Sequence, residues 1–167
     1  MSPNDDTPFA AQVQVRPCSR DDLALVVQVE RICFGDGALP MISFVQYLEL
    51  FPSTFLIAVR EQNCIGYVVA GSSTEQPSVA WLLGIAVIPM EQRQGVANRL
   101  ATAIMVKLLA ASVTKAYATV APKNTPSLQL CRKMGFNVLR EVSNYFGPGE
   151  TRLLLELTLQ RQQFPVL

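Results

Sequence analysis

The chain contains no histidine. Ser-His-Asp and Cys-His catalytic centres are therefore excluded, as is any His-ligated metal. Chemistry must fall to carboxylates, tyrosine, cysteine, lysine, backbone groups or water. Cysteine is scarce as well: Cys18, Cys33, Cys64 and Cys131 are scattered, with no C-x-x-C pair. That spacing argues against zinc and redox motifs and for reduced thiols in the cytoplasm. Charged residues make up only 16% of the chain and the net charge is +1, so no global field draws it to nucleic acid or to an anionic membrane. The longest nearly unbroken apolar run, 79–90, falls well short of the ~20 residues a bilayer requires and is broken by Gly84 and Pro89. Residues 1–10 are polar and acidic, with no basic stretch leading into an apolar core, so no secretory signal is expected.

What the chain has in quantity is apolar residues, half of its 167, enough for a substantial core in one domain. The expected domain covers 12–160, between a flexible N-terminus, 1–11, and a C-terminal tail, 161–167. Val13 and Val15 alternate with polar neighbours as a first strand. Ser19 with Asp22 reads as a capping box ahead of Leu23, Val26, Val29 and Cys33 at helical spacing. The stretch 34–42, with two glycines and Pro40, reads as a loop, and Ser43 with Gln46 as the start of a second helix. Two β-branched runs, 54–60 and 64–71, flank Glu61-Gln62-Asn63 as a hairpin. The run 79–87 reads as a buried strand in which Gly84 marks a bulge or a close backbone approach. Further on, 115–120 is a strand, Thr125-Pro126 opens a helix that stops at Gly135, and 136–142 and 151–158 are the last strands. Strand–helix alternation framed by hairpins predicts a mixed α/β sheet, though not its strand order.

The most informative stretch is Ile85-Ala86-Val87-Ile88-Pro89 followed by Gln92-Arg93-Gln94-Gly95-Val96-Ala97. An apolar strand runs into a short basic turn, and a helix starts at once, with Val96, Leu100, Ile104 and Leu108 recurring every four residues. A helix N-terminus presents unpaired N–H groups and about half a positive charge, which suits a phosphate. Gly95 lets the backbone approach an oxyanion, and Arg93 adds a cation. The spacing is neither G-x-G-x-x-G nor G-x-x-x-x-G-K-[ST].

The stretch resembles the Q/R-x-x-G-x-G/A pyrophosphate loop of the GNAT superfamily of acyl-CoA N-acyltransferases, with Val87-x-Pro89 before it and Asn124 after it. The bacterial ribosomal-protein alanine N-acetyltransferase type is closest in pattern, through Met134-Gly135-Phe136 and Asn144-Tyr145-Phe146 as well. The resemblance implies a single-domain α/β GNAT fold. Its central sheet is mixed, mostly antiparallel and splayed between the fourth and fifth strands, with about four flanking helices. It also implies acetyl-CoA as cosubstrate and no metal. The pyrophosphate would lie over Arg93, Gln94, Gly95, Val96, Ala97 and Asn98, with Asn124 nearby. The pantetheine amides would pair with the edge of Ile85, Ala86 and Val87. Asn98 stands where close relatives often carry arginine.

Acetyl transfer to an amine requires a neutral nucleophile, a stabilised oxyanion and protonation of the CoA thiolate. The resemblance implies a glutamate base on the fifth strand and a tyrosine acid on the following helix, but this chain has Thr119 and Cys131 at those positions. Thr119 could hold a water or simply pack on its strand. Cys131 could protonate the thiolate or be a small buried helix residue. Tyr145 could orient the amine or protonate CoA, with plain packing as the alternative. Glu30 matches a carboxylate near the acceptor loop, with solvation at the surface as the other reading. The acceptor expected from these features is a protein or peptide amine. A small-molecule amine is the first alternative and a non-catalytic acyl-CoA-binding module the second. Only Asp36 brings negative charge to the acceptor-side loop, which favours an acceptor of low positive charge. Oligomeric state does not follow from the sequence.

Overall fold

The computed structural model describes residues 12–160 together with 163 and 164. The expected flexible N-terminus, 1–11, lies outside the described residues, as does the C-terminal tail apart from Gln163 and Phe164. Phe164 is buried against the core.

Seven strands form one sheet in the order β1-β2-β3-β4-β5-β7-β6. β1 is Gln14–Pro17, β2 Phe55–Arg60, β3 Asn63–Ser72, β4 Val79–Val87, β5 Lys115–Val120, β6 Asn137–Val142 and β7 Arg152–Thr158. All neighbours are antiparallel except β4 and β5, which run parallel and pair only through Val79, Ala80 and Trp81 against Lys115, Ala116 and Tyr117. Beyond Trp81 the two strands part. The predicted bulge is present: Val69 faces Gly84 and Ala70 faces Leu82, which leaves Leu83 as the extra residue on β4. A bulge bends its strand and sharpens its twist, so it turns β4 away at the point where the ladder to β5 ends.

Four helices cover the sheet: α1 Leu23–Phe34, α2 Met41–Leu50, α3 Val96–Ala110 and α4 Thr125–Met134. α3 buries Val96, Leu100, Ile104 and Leu108, the stripe read from its four-residue spacing, against one face of the sheet. α1 and α2 build a second core on the other face, where Val26, Phe44, Phe55, Ile57, Tyr67 and Val69 meet.

Two helix starts differ from the sequence reading. α2 begins at Met41 rather than after Ser43, because extended Pro40 acts as its cap and Ser43 N–H already donates to the Pro40 carbonyl at 3.0 Å. The loop is correspondingly shorter, since Phe34 ends α1 and Met41 and Ile42 open α2. α4 is capped by Asn124 rather than Thr125: its side-chain oxygen accepts from Ser127 N–H at 3.2 Å. The predicted Gly135 stop holds, with φ 94° and Phe136 N–H closing onto the Cys131 carbonyl.

The capping box before α1 is also an ion-pair site. Asp22 takes both guanidinium nitrogens of Arg16, at 2.7 and 2.8 Å, and both the N–H and hydroxyl of Ser19. The Arg16 hydrogen bonds, helped by those from Ser19, hold the Asp22 carboxyl well below the usual carboxylate range. A depressed carboxyl contributes stability above its unfolded pKa of ~3.9 and loses that contribution as pH falls. Asp22→Ala should lower stability by about 1–3 kcal/mol at pH 7. Urea unfolding at pH 7 and pH 3 should show the gap to wild type narrowing at the lower pH. An equal gap at both pH values would contradict the assignment.

Candidate active site

Between β4 and α3 the chain makes a cradle of donors. Arg93 and Gly95 both adopt left-handed backbone, at φ 61° and 82°, on either side of Gln94. Alternation of this kind turns successive N–H groups toward one point, an anion-binding nest. Among the described residues, the backbone N–H groups of Arg93, Gln94, Gly95, Val96, Ala97 and Asn98 have no intramolecular acceptor. A Cβ at Gly95 would meet nothing within 4 Å, so no side chain of the protein crowds the turn at that position.

Side chains around the turn hold it in place. Gln92 donates to the Val87 carbonyl at 2.9 Å and Gln94 to the Met90 carbonyl at 3.1 Å. Arg60 on β2 donates to the Gln94 side-chain oxygen and pairs with Glu91, each at 3.2 Å. The carboxamide of Gln94 is therefore engaged, and what the residue offers a ligand is its backbone N–H. Arg93 is exposed and, among the described residues, in no ion pair.

The splay leads from this cradle into the molecule. Past Trp81 the β5-facing edge of β4, with Ile85, Ala86 and Val87, carries no ladder. The gap opens into a cleft of about 340 Å³, lined by Leu83, Gly84 and Ile85 on one side and Thr119, Asn124 and Cys131 on the other. Asn124 spends its oxygen on the α4 cap, so its amide –NH2 remains for a ligand. Thr119 is half-buried, and no partner holds its hydroxyl among the described residues. Cys131 is buried, and desolvation pushes its thiol up to about 11. It is a neutral S–H donor at pH 7.

Three placements differ from the residue-by-residue reading. Phe146, rather than Tyr145, lines the cleft, while Tyr145 faces a neighbouring groove beside Trp81 and Tyr117. Glu30 is not at the surface: it is 2% exposed, accepting from Tyr67 O–H at 2.6 Å and from Leu39 N–H at 2.9 Å. A buried carboxylate needs such donors. Burial, then the Glu30 hydrogen bond, pushes the Tyr67 hydroxyl far above its ordinary value. The third is Arg152, which a single sequence does not flag. It lines the cleft, pairs with Glu150 at 2.7 Å and stacks 5.0 Å from the Phe146 ring. Tyr67 did carry a signal, as a hydroxyl in an otherwise apolar strand run.

Glu30 pins the α1–α2 loop, while the Tyr67 hydroxyl would lie 3.3 Å from a Cβ at Gly84 on the cleft wall. Glu30→Ala leaves two donors unpaired and should cost about 2–4 kcal/mol, against about 1–3 for Tyr67→Phe. Hydrogen exchange at the Leu39 amide should speed at least tenfold in Glu30→Ala relative to neighbouring loop amides. Unchanged exchange would show that Glu30 does not hold the loop.

Among the described residues, no group of three or more Cys, Asp or Glu is placed to hold a metal ion, and the four cysteines are free thiols. No described helix is long and apolar enough to cross a membrane.

The model of the Acetyltransferase (GNAT) family matches residues 24–136. An N-alpha-acetyltransferase from Sulfurisphaera tokodaii is 21% identical over 165 residues, spanning 89% of this chain and 94% of that protein. Among solved structures, Ard1 from Thermoplasma volcanium superposes with a TM-score of 0.81 at 16% identity, over 89% of this chain and 98% of that one. The ribosomal-protein-S18-alanine N-acetyltransferase from Escherichia coli gives 0.76 at 18% identity, over 89% and 95%. The match covers the splayed strand, the donor cradle and the capped α4 that build the cleft. The chain belongs to the Acetyltransferase (GNAT) family and is an N-acetyltransferase.

Proposed function

We infer that the protein transfers acetyl from acetyl-CoA to the α-amine of a polypeptide. The observation that carries this reading is the absence of any Asp or Glu among the described residues lining the cleft. With no histidine in the chain either, no side chain there is a strong base at neutral pH. The enzyme must then take an amine that is already partly neutral. An α-amine, with pKa about 7.7–8.0, is roughly one-tenth neutral at pH 7, whereas a lysine near 10.4 is neutral in fewer than about one molecule per thousand. The lack of acidic lining also disfavours polyamines and aminoglycosides. The free thiols suit a reducing compartment such as the cytoplasm.

The residues divide the work. The N–H groups of Arg93–Asn98 and the Arg93 guanidinium donate to the pyrophosphate oxygens, and charge-assisted bonds of this kind contribute about 1.5–3 kcal/mol each. The open edge of Ile85, Ala86 and Val87 pairs with the pantetheine amides, which brings the thioester to the cleft between Gly84 and Thr119. The amine enters on the side of Phe34 and Phe146, and water at the Thr119 hydroxyl takes its proton. Cys131, at about 11, is a weaker acid than a thiol of reference pKa about 8.5. It assists the departing thiolate as a hydrogen-bond donor, and solvent completes the protonation.

Gly95→Asp sets a carboxylate against the phosphates and forces a side chain onto φ 82°. Calorimetry should show CoA binding almost abolished while circular dichroism keeps its native shape. Unchanged affinity would overturn the cradle's role. Cys131→Ala should lower kcat by about 2–10-fold, the worth of one neutral hydrogen bond, with CoA affinity unaffected. Wild-type turnover would reduce Cys131 to packing. A loss beyond about a hundredfold would make it a full general acid.

A further inference from the structure

A second concavity adjoins the cleft on the sheet face that α3 and α4 leave open. Trp81, Tyr117, Leu139, Arg140, Tyr145 and Leu154 line it. It meets the cleft through Leu154, which pairs with cleft residue Thr119, and through Tyr145, whose ring lies 4.8 Å from that of Phe146. The Trp81 and Tyr117 rings lie 5.1 Å apart, tilted at 31°, as a flat aromatic floor. Several of the large exposed apolar side chains gather along this path: Phe34, Leu83, Leu139, Tyr145 and Phe146. An apolar strip of that kind marks an interaction surface.

Its one unpaired charge among the described residues is Arg140, which is exposed; Arg152 at the junction is paired with Glu150, and Glu156, opposite Tyr117 on the β5–β7 ladder, is paired with Lys115. A small amine placed at the thioester would leave this strip empty. We propose that the strip is the binding groove for the acceptor polypeptide downstream of its acetylated residue, and that it favours apolar and acidic side chains there. The proposal rests on the α-amine reading and deepens it. The first residue enters between Phe34 and Phe146, and the following ones cross the Trp81–Tyr117 floor toward Arg140. Stacking and area burial by the aromatics supply affinity, while Arg140 selects charge.

Trp81 is the sole tryptophan in the chain, so its emission reports directly on the groove. With CoA present, the full chain would be titrated with the amide of Ala-Glu-Leu-Asp-Phe-Gly, with its counterpart carrying lysine for both acidic residues, and with alanine amide. The acidic hexapeptide should change Trp81 emission saturably and bind at least tenfold tighter than the lysine peptide, while alanine amide leaves the emission unchanged. Arg140→Glu should reverse the order of the two peptides. In turnover, the acidic hexapeptide should exceed alanine amide in kcat/KM by at least tenfold through KM, and Arg140→Glu should leave alanine amide kinetics unchanged. Equal kcat/KM for long and short acceptors, emission unmoved by either hexapeptide, or a dimer in sedimentation that covers Trp81 would each overturn the groove. If the peptide titrates Trp81 but no amine is acetylated, the α-amine reading falls and the groove stands. If alanine amide is acetylated and Trp81 stays silent, the reverse holds.

Discussion

β4 and β5 share a ladder of only three residue pairs before they separate, and the rest of the molecule is arranged around that short contact. A parallel pair buried on both faces would normally continue its ladder to the strand ends. Here the extra residue Leu83 bends β4 at the place where pairing stops. The result is a strand edge left open inside the sheet, an exposed set of backbone donors and acceptors that proteins ordinarily cover. Such an edge persists when a ligand with matching amides occupies it. The gap costs ladder hydrogen bonds and in return gives a slot with one wall from each half of the sheet.

The two faces of the sheet carry separate cores. On one face α3 seals β2 to β5 through Leu100, Ile104, Met105 and Leu108; on the other, α1 and α2 pack on Phe55, Ile57, Tyr67 and Val69. The α3 core lines the cleft directly, through Ile104, Met105 and Val120, while the buried Glu30–Tyr67 pair connects the α1–α2 side to it. The pair ties the loop after α1 to the strand beneath Gly84. A donor-satisfied buried carboxylate is rigid because each alternative position leaves it without partners. The acceptor side of the site is thereby built on a fixed support while Phe34 and Phe146 remain open to solvent.

Much of this was legible in the residues, and the division has physical causes. The bounds of β4, the bulge near Gly84, the Gly95 turn and the buried stripe of α3 all follow from local rules: apolar runs, φ > 0 and a four-residue spacing. The start of α2 differs from the pattern because Pro40 can cap a helix as well as break one, and Ser43, a cap residue by type, lies in the first turn. Asn124 displaced Thr125 because both are good caps and only the three-dimensional fit to Ser127 chooses between them. Glu30 looked solvated because burial of a carboxylate depends on donors from elsewhere in the sequence, here Tyr67 and Leu39. The exchange of Tyr145 for Phe146 on the cleft wall and the arrival of Arg152 depend on how the hairpin between β6 and β7 folds back. Its Asn144, Gly147 and Gly149 all take positive φ, a geometry that side-chain pattern does not encode.

The central claim is that the unpaired β4 edge and the Arg93–Asn98 donors act as one extended site. Amide chemical-shift mapping with pantetheine and with CoA tests it most directly, because the first ligand lacks the pyrophosphate. The account predicts that pantetheine moves the amides of Ile85–Val87 and leaves Arg93–Asn98 in place, while CoA moves both sets. CoA that leaves the 93–98 amides undisturbed, or pantetheine that perturbs them without touching β4, would contradict it.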